Sequence, residues 1–158
     1  MTLRSLPISD IAAGTLWLGP MPGRFDGWGE FMAEARERQI NLVVCLTPIE
    51  EVESLSPTYW RAIADGSLDF RFMNLPVQNF GVPRELAAFR DGIDQIADSL
   101  KAGDVVMLHC DAGIGRTGTA AACLLKRMGL PKIEALQRVR DAGSNPENAL
   151  QSGLVDRF

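Results

Sequence analysis

The stretch HCDAGIGRTG, residues 109–118, places a cysteine, an arginine six positions later, three glycines and a threonine between two apolar runs. Cys110 would supply a thiolate, and the guanidinium fork of Arg116 could bind two oxygens of a phosphoryl group. Glycines allow the backbone to turn its amides inward and to approach an anion closely. The stretch therefore predicts a loop that holds a phosphate group against a nucleophile.

The chemistry expected of this loop is in-line attack of a thiolate on phosphorus. Surrounding amides and a guanidinium favour the thiolate form of Cys110 and stabilise charge in the transition state. Thr117 would hydrogen-bond the sulfur and help it leave in a second step, and His109 would orient the loop rather than act as a base. The phosphate would lie against six consecutive residues: Asp111, Ala112, Gly113, Ile114, Gly115 and Arg116.

Other interpretations of these residues exist. A cysteine followed six positions later by an arginine occurs by chance in many proteins, and Thr117 could be only a helix N-cap. Cys45 and Cys123 are interpreted as small buried hydrophobes, and either could pair with Cys110 only if its distance allowed. A nucleotide-binding P-loop is excluded because no G-K-[ST] follows the glycines.

Length and composition favour one globular domain over residues 1–158, with 46% hydrophobic residues and a net charge of −4. The acidic balance predicts neither nucleic-acid nor membrane binding. A single histidine excludes a multi-histidine metal site, and three cysteines without a C-x-x-C pair fit no zinc spacing. No cofactor is expected. The sequence has no apolar run of roughly 20 residues and no leader signal, and its thiols suit a reducing compartment, so we expect a cytoplasmic protein.

Hydrophobic periodicity predicts an alternation of strands and helices. Strands are expected at 15–19, 41–46, 68–75 and 104–109. Helices are expected at 25–39, 57–65, 83–100, 116–128, 132–141 and 147–156. This order predicts an α/β fold with a central, mostly parallel sheet of about four to five strands flanked by helices on both faces. The phosphate-binding loop would connect the last strand to a helix, at the sheet edge where ligands bind in such folds.

The run HCDAGIGRTGT resembles the signature of cysteine-dependent protein tyrosine phosphatases, and of their small dual-specificity branch in particular. The resemblance extends from WLGPMPGR to the end of the chain. Low-molecular-weight phosphatases carry their cysteine near the N-terminus and are a poorer match. The resemblance implies a phosphocysteine intermediate on Cys110, a phosphate clamp at Arg116 and no metal. The implied substrate is a phosphorylated protein, through phosphotyrosine or also phosphoserine and phosphothreonine, or a small phosphoester.

The sequence departs from that family at the general acid. The family implies an aspartate in a stretch similar to L-P-x-x-D-F-x-x-P, and the matching stretch here, LPVQNFGVP (75–83), has Asn79 at that position. An amide cannot give a proton to a leaving alkoxide. The substrate could carry a good leaving group, the protein could bind phosphate with little turnover, or another carboxylate could act; the candidates are Asp111, Glu85, Glu50 and Glu51.

Three further residues are candidates for the site. In the loop after Asn79, Phe80 could form an apolar lid and Arg84 a second phosphate contact. Some branches of the family have a late glutamine that orients the hydrolytic water, and SNPENALQSGL (144–154) loosely resembles that region. Gln151 is therefore a candidate for positioning water.

Overall fold

The computed structural model describes residues 3–158, so residues 1 and 2 of the expected domain lie outside the described residues. A five-stranded sheet forms its centre, in the order β1-β2-β5-β3-β4. The strands are β1 (Arg4–Leu6), β2 (Thr15–Gly19), β3 (Leu42–Cys45), β4 (Arg71–Asn74) and β5 (Val105–His109). Only the β1–β2 pair is antiparallel among these strands. The predicted α/β fold with a mostly parallel sheet is confirmed.

Helices cover both faces of the sheet. They are α1 (Trp28–Glu37), α2 (Ile49–Leu55), α3 (Pro57–Asp65), α4 (Leu86–Lys101), α5 (Gly115–Arg127), α6 (Lys132–Asp141) and α7 (Ala149–Asp156). Successive strand residues point to opposite faces, so Leu108 packs with α4–α7 whereas Met107 packs with α1. Within residues 3–158, none of the helices is long and apolar enough to cross a membrane.

Several element boundaries differ from the predictions. The helix expected from 83 begins at Leu86, and the strand expected over 68–75 is only Arg71–Asn74. The helices expected from 25 and 147 begin at Trp28 and Ala149. Strand β1 and helix α2 were not predicted from the sequence. A strand of three residues and a helix with one buried residue are too short or too polar to show a clear hydrophobic periodicity.

The sheet brings the predicted phosphate loop to the centre of its carboxyl edge. Strand β5 lies between β2 and β3, ends at His109 and is followed by the loop that leads into α5. Gly113 has a φ of 79°, and a Cβ atom there would collide with the carbonyl of Gly19. Only glycine fits both the left-handed backbone and the close approach to β2.

Candidate active site

Cys110 lies at the base of a pocket of about 140 Å³ and is only 3% exposed. Its Sγ accepts hydrogen bonds from the backbone N–H of Gly113 at 3.3 Å and from Thr117 Oγ1 at 3.1 Å. Thr117 is buried, and the residue before the first turn of α5 is Ile114, so Thr117 contacts the sulfur and is not the helix cap. Both donors stabilise negative charge on sulfur.

Nine side chains or backbone segments line this pocket: Asn79, Phe80, Cys110, Asp111, Ala112, Gly115, Arg116, Glu147 and Gln151. Most of the residues expected to bind phosphate therefore surround one cavity. Gly113 instead contacts the sulfur through its N–H, and the Ile114 side chain is exposed. Glu147 is not among the site residues predicted from the sequence.

The guanidinium of Arg116 is held in place by two partners that lie outside the pocket. It is 4% exposed, and one nitrogen donates to Glu51 Oε2 at 3.2 Å and to the Val77 carbonyl at 3.3 Å. Glu51 therefore positions the arginine and does not line the pocket of Cys110. Three other residues considered from the sequence also lie outside that pocket and line neighbouring cavities: Glu50, Arg84 and Glu85.

Asp111 lines the pocket beside Cys110, but its carboxylate already has a partner. Its Oδ1 accepts a hydrogen bond from Arg24 Nε at 2.6 Å, with both side chains about one-third exposed. Arg24 also lies 5.0 Å from the ring centroid of Phe25. This pair places a cation at the rim, beside an acidic residue that would otherwise repel an anionic substrate.

His109 supports the loop from the sheet side. Its Nδ1 lies 2.9 Å from the Cys110 carbonyl, and its Nε2 lies 2.8 Å from the Tyr59 hydroxyl. A carbonyl can only accept, so Nδ1 carries the proton and Tyr59 donates to Nε2. Burial lowers the pKa of His109 to about 4, which keeps the ring neutral near pH 7. The side chain orients the backbone at Cys110.

A distant cation fixes the other side of the loop. The Gly113 carbonyl accepts hydrogen bonds from an Arg4 guanidinium nitrogen at 2.5 Å and from Ser144 Oγ at 2.6 Å. Burial lowers the pKa of Arg4 while the nearby Cys110 opposes that shift, and a guanidinium stays charged in either case. Arg4 lies in the three-residue strand β1, so the sequence offers no pattern that identifies it as part of this site.

Gln151 is buried in the pocket wall at 1% exposure. Its side-chain Oε1 accepts a hydrogen bond from the backbone N–H of Glu147 at 2.8 Å. Its backbone N–H donates to Asn148 Oδ1 at 3.0 Å. The glutamine therefore lies beside Cys110, as a water-positioning residue must, and also fixes the backbone at Glu147.

Comparison with known families agrees with this arrangement. Residues 29–152 match the family described as "Swiss Army Knife protein, DSP-PTPase phosphatase domain". The chain belongs to this family. It is a small atypical dual-specificity phosphatase of the cysteine-dependent protein tyrosine phosphatase superfamily, an enzyme class that acts on phosphorylated substrates. No curated protein sequence matches the chain.

Solved structures share the fold of this DSP-PTPase domain. Kinase associated phosphatase, with serine in place of its catalytic cysteine, is 17% identical with a TM-score of 0.87, covering 100% of this chain and 93% of that one. Tk-PTP in its active form is 22% identical with a TM-score of 0.71, covering 99% and 97%. PTPMT1 in complex with PI(5)P is 20% identical with a TM-score of 0.72, covering 94% and 91%. These similarities concern the fold.

Proposed function

We propose that this phosphatase hydrolyses phosphomonoesters through a phosphocysteine intermediate on Cys110, with Arg116 as the phosphate clamp. The observation that carries the proposal is the Cys110 sulfur, which accepts hydrogen bonds from Gly113 and Thr117 at the base of a pocket walled by Arg116. A thiolate stabilised in this way lies in line with a phosphate bound above it. We propose further that residues 1–158 form one catalytic domain that needs no cofactor.

In the first step the thiolate attacks phosphorus while the amides of residues 111–116 and the guanidinium hold the equatorial oxygens. In the second step a water attacks the phosphocysteine and the sulfur leaves. Thr117 favours this departure because its hydroxyl donates to the emerging thiolate. Gln151, in the wall of the same pocket, is the residue we propose to orient the water.

The substrate that fits best is an aryl phosphate, above all phosphotyrosine in a protein. Phe80 lies at the pocket and is 61% exposed, so it offers an apolar surface to an aromatic ring. Phosphoserine, phosphothreonine and small phosphoesters are secondary candidates. Three free cysteines fit a reducing compartment, and we propose a cytoplasmic location on that ground.

One observation favours a second candidate function. Asn79 lines the pocket at the position of the family's general acid, and an amide cannot protonate a leaving group. A phosphate- or phosphopeptide-binding module with weak turnover is therefore the alternative. The two candidates differ in turnover, not in binding.

The test compares wild-type protein with Cys110→Ser and Cys123→Ala on p-nitrophenyl phosphate and on a phosphotyrosine peptide. We expect turnover by the wild type, none by Cys110→Ser because a serine hydroxyl is a poor nucleophile here, and near wild-type turnover by Cys123→Ala. Phosphopeptide binding without turnover by the wild type would favour the binding module. Turnover retained by Cys110→Ser would contradict the proposed nucleophile.

A further inference from the structure

We propose that Glu147 is the general acid and base of this phosphatase, in place of the aspartate that the Asn79 position lacks. The proposal rests on the phosphocysteine mechanism proposed above. It assigns a catalytic role to a residue that lies outside both sequence motifs, at 75–83 and at 109–118.

The Glu147 carboxyl group lies against the first turn of α5. A Cβ atom added at Gly115 would collide with Cδ and Oε1 of Glu147. The carboxyl group is therefore packed directly over the backbone of the residue that opens the helix. Amides at this helix N-terminus are among those expected to bind the phosphate. Glu147 consequently lies beside the place where the reacting phosphorus would be held.

The leaving group emerges on the side of the pocket where Glu147 lies. In-line displacement places the leaving oxygen opposite the attacking sulfur, and thus toward the pocket mouth. Cys110 is buried at the base, whereas Glu147 is exposed at the rim. A carboxyl group at the rim is placed to protonate an oxygen that departs toward solvent.

Glu147 is also the best available proton donor among the polar side chains of the rim. Asn79 has no acidic proton, and the Asp111 carboxylate accepts a hydrogen bond from Arg24 at 2.6 Å. Within the part of the chain that the structure describes, no hydrogen bond or ion pair reaches the Glu147 carboxylate. Its oxygens are free to meet a substrate or a water.

Backbone contacts hold the loop of Glu147 in place. Its N–H donates to the Gln151 side chain at 2.8 Å, and the N–H of Asn145 donates to the Ile114 carbonyl at 3.1 Å. The Asn148 amide donates to the Phe80 carbonyl at 2.7 Å. The loop is thus attached both to the phosphate loop and to the loop that carries Asn79.

Glu147 gives the proton that the first step requires and takes one back in the second step. As the S–P bond forms and the ester P–O bond breaks, the protonated carboxyl group gives its proton to the leaving oxygen. The resulting carboxylate then takes a proton from the attacking water as the new P–O bond forms and the S–P bond breaks. Inorganic phosphate, the Cys110 thiolate and the protonated carboxyl group remain, ready for another cycle.

The experiment measures kcat/KM for wild-type protein, Glu147→Gln and the matched surface control Glu53→Gln. The substrates are p-nitrophenyl phosphate, whose leaving group needs little protonation, and phenyl phosphate, whose leaving group needs more. We expect Glu147→Gln to lose about 10²–10⁴-fold with phenyl phosphate and about tenfold or less with p-nitrophenyl phosphate. Glu53→Gln should match the wild type with both. Adding Asn79→Asp to Glu147→Gln should restore at least about tenfold with phenyl phosphate.

Vanadate binding and thermal unfolding of Glu147→Gln establish that the pocket and fold survive the substitution. Equal losses with both substrates, or no loss, would overturn the role of Glu147 while leaving the phosphocysteine mechanism in place, provided that Cys110→Ser is inactive. A wild-type protein that cleaves neither substrate would overturn both proposals.

Discussion

At the residue scale, the groups that we propose to react are distinct from the groups that only hold them in place. Cys110, Arg116 and Glu147 line the pocket, whereas Glu51 contacts Arg116 and His109 contacts the Cys110 carbonyl from outside it. The supporting residues are buried or paired, so we expect their substitution to change stability as well as activity. His109 gives the clearest test, because it is the only histidine of the chain.

Acidification should destabilise the fold through His109. Its pKa is about 4 in the folded state, below the value of about 6.5 expected in the unfolded chain. As the pH falls, the unfolded chain binds the proton first, so the free energy of unfolding decreases between about pH 7 and about pH 4, by an amount on the order of 3 kcal/mol.

Urea unfolding across this pH range measures the effect. In His109→Asn an amide can still donate to the Cys110 carbonyl but nothing titrates at this position. We expect a flatter pH dependence for that variant above about pH 5. If the free energy of unfolding depends on pH equally in the two proteins, protonation of His109 does not cause the destabilisation.

At the element scale, close backbone contacts around α5 shape the pocket. A Cβ atom at Gly118 would collide with the backbone of Asn145, so the loop before α7 lies directly on this helix. The same loop carries Glu147. Packing between α5 and the loop therefore decides where that carboxyl group lies.

Substitution by alanine should change stability in opposite directions at two helical glycines. Gly118→Ala should destabilise the protein by about 1–3 kcal/mol, because the new methyl group must displace the loop at Asn145. Gly153→Ala, in α7, should stabilise it by about 0.5–1 kcal/mol, because its Cβ would meet nothing within 4 Å and alanine favours the helix. Thermal unfolding of both variants measures the difference. A stabilising effect of Gly118→Ala would contradict the close packing of α5 against the loop at Asn145.

At the scale of the whole molecule, the site joins β1 to the loop after α6. Arg4 in β1 contacts the Gly113 carbonyl and the loop after α6, through the Ala142 carbonyl at 2.6 Å and Ser144 Oγ at 2.9 Å. The protein is acidic overall, with a net charge of −4, yet it places Arg4, Arg24 and Arg116 around one loop. Positive charge at the site is local and does not follow from the composition.

Removal of Arg4 should affect both the fold and the pocket. Arg4→Met is expected to cost about 1–3 kcal/mol of unfolding free energy, because a partly buried carbonyl loses a charged donor, and to weaken vanadate binding. The control is Arg127→Met, which removes an exposed pair with Asp94 and should cost less than about 1 kcal/mol. Denaturant titration and vanadate inhibition measure the two effects. Equal behaviour of the two variants would exclude a special role for Arg4.

The sequence by itself determined the loop between β5 and α5 and the sheet that carries it. Residues 109–118 are contiguous, so their local geometry follows from the glycines and from a buried strand leading into a helix. Apolar runs at 15–19, 41–46 and 104–109 sufficed to predict the central strands. The absence of the family's acid at Asn79 was also visible, because residue type alone decides that an amide cannot donate a proton.

Only the tertiary structure decided which distant residues complete the site. Arg4, Glu51, Tyr59 and Glu147 come from a short strand, two helices and a loop, and none has a spacing that relates it to Cys110. Their contacts depend on how the parallel strands and α5 pack, which no local periodicity encodes. The same packing placed Glu85 and Arg84 outside the pocket, although both follow Asn79 closely in sequence.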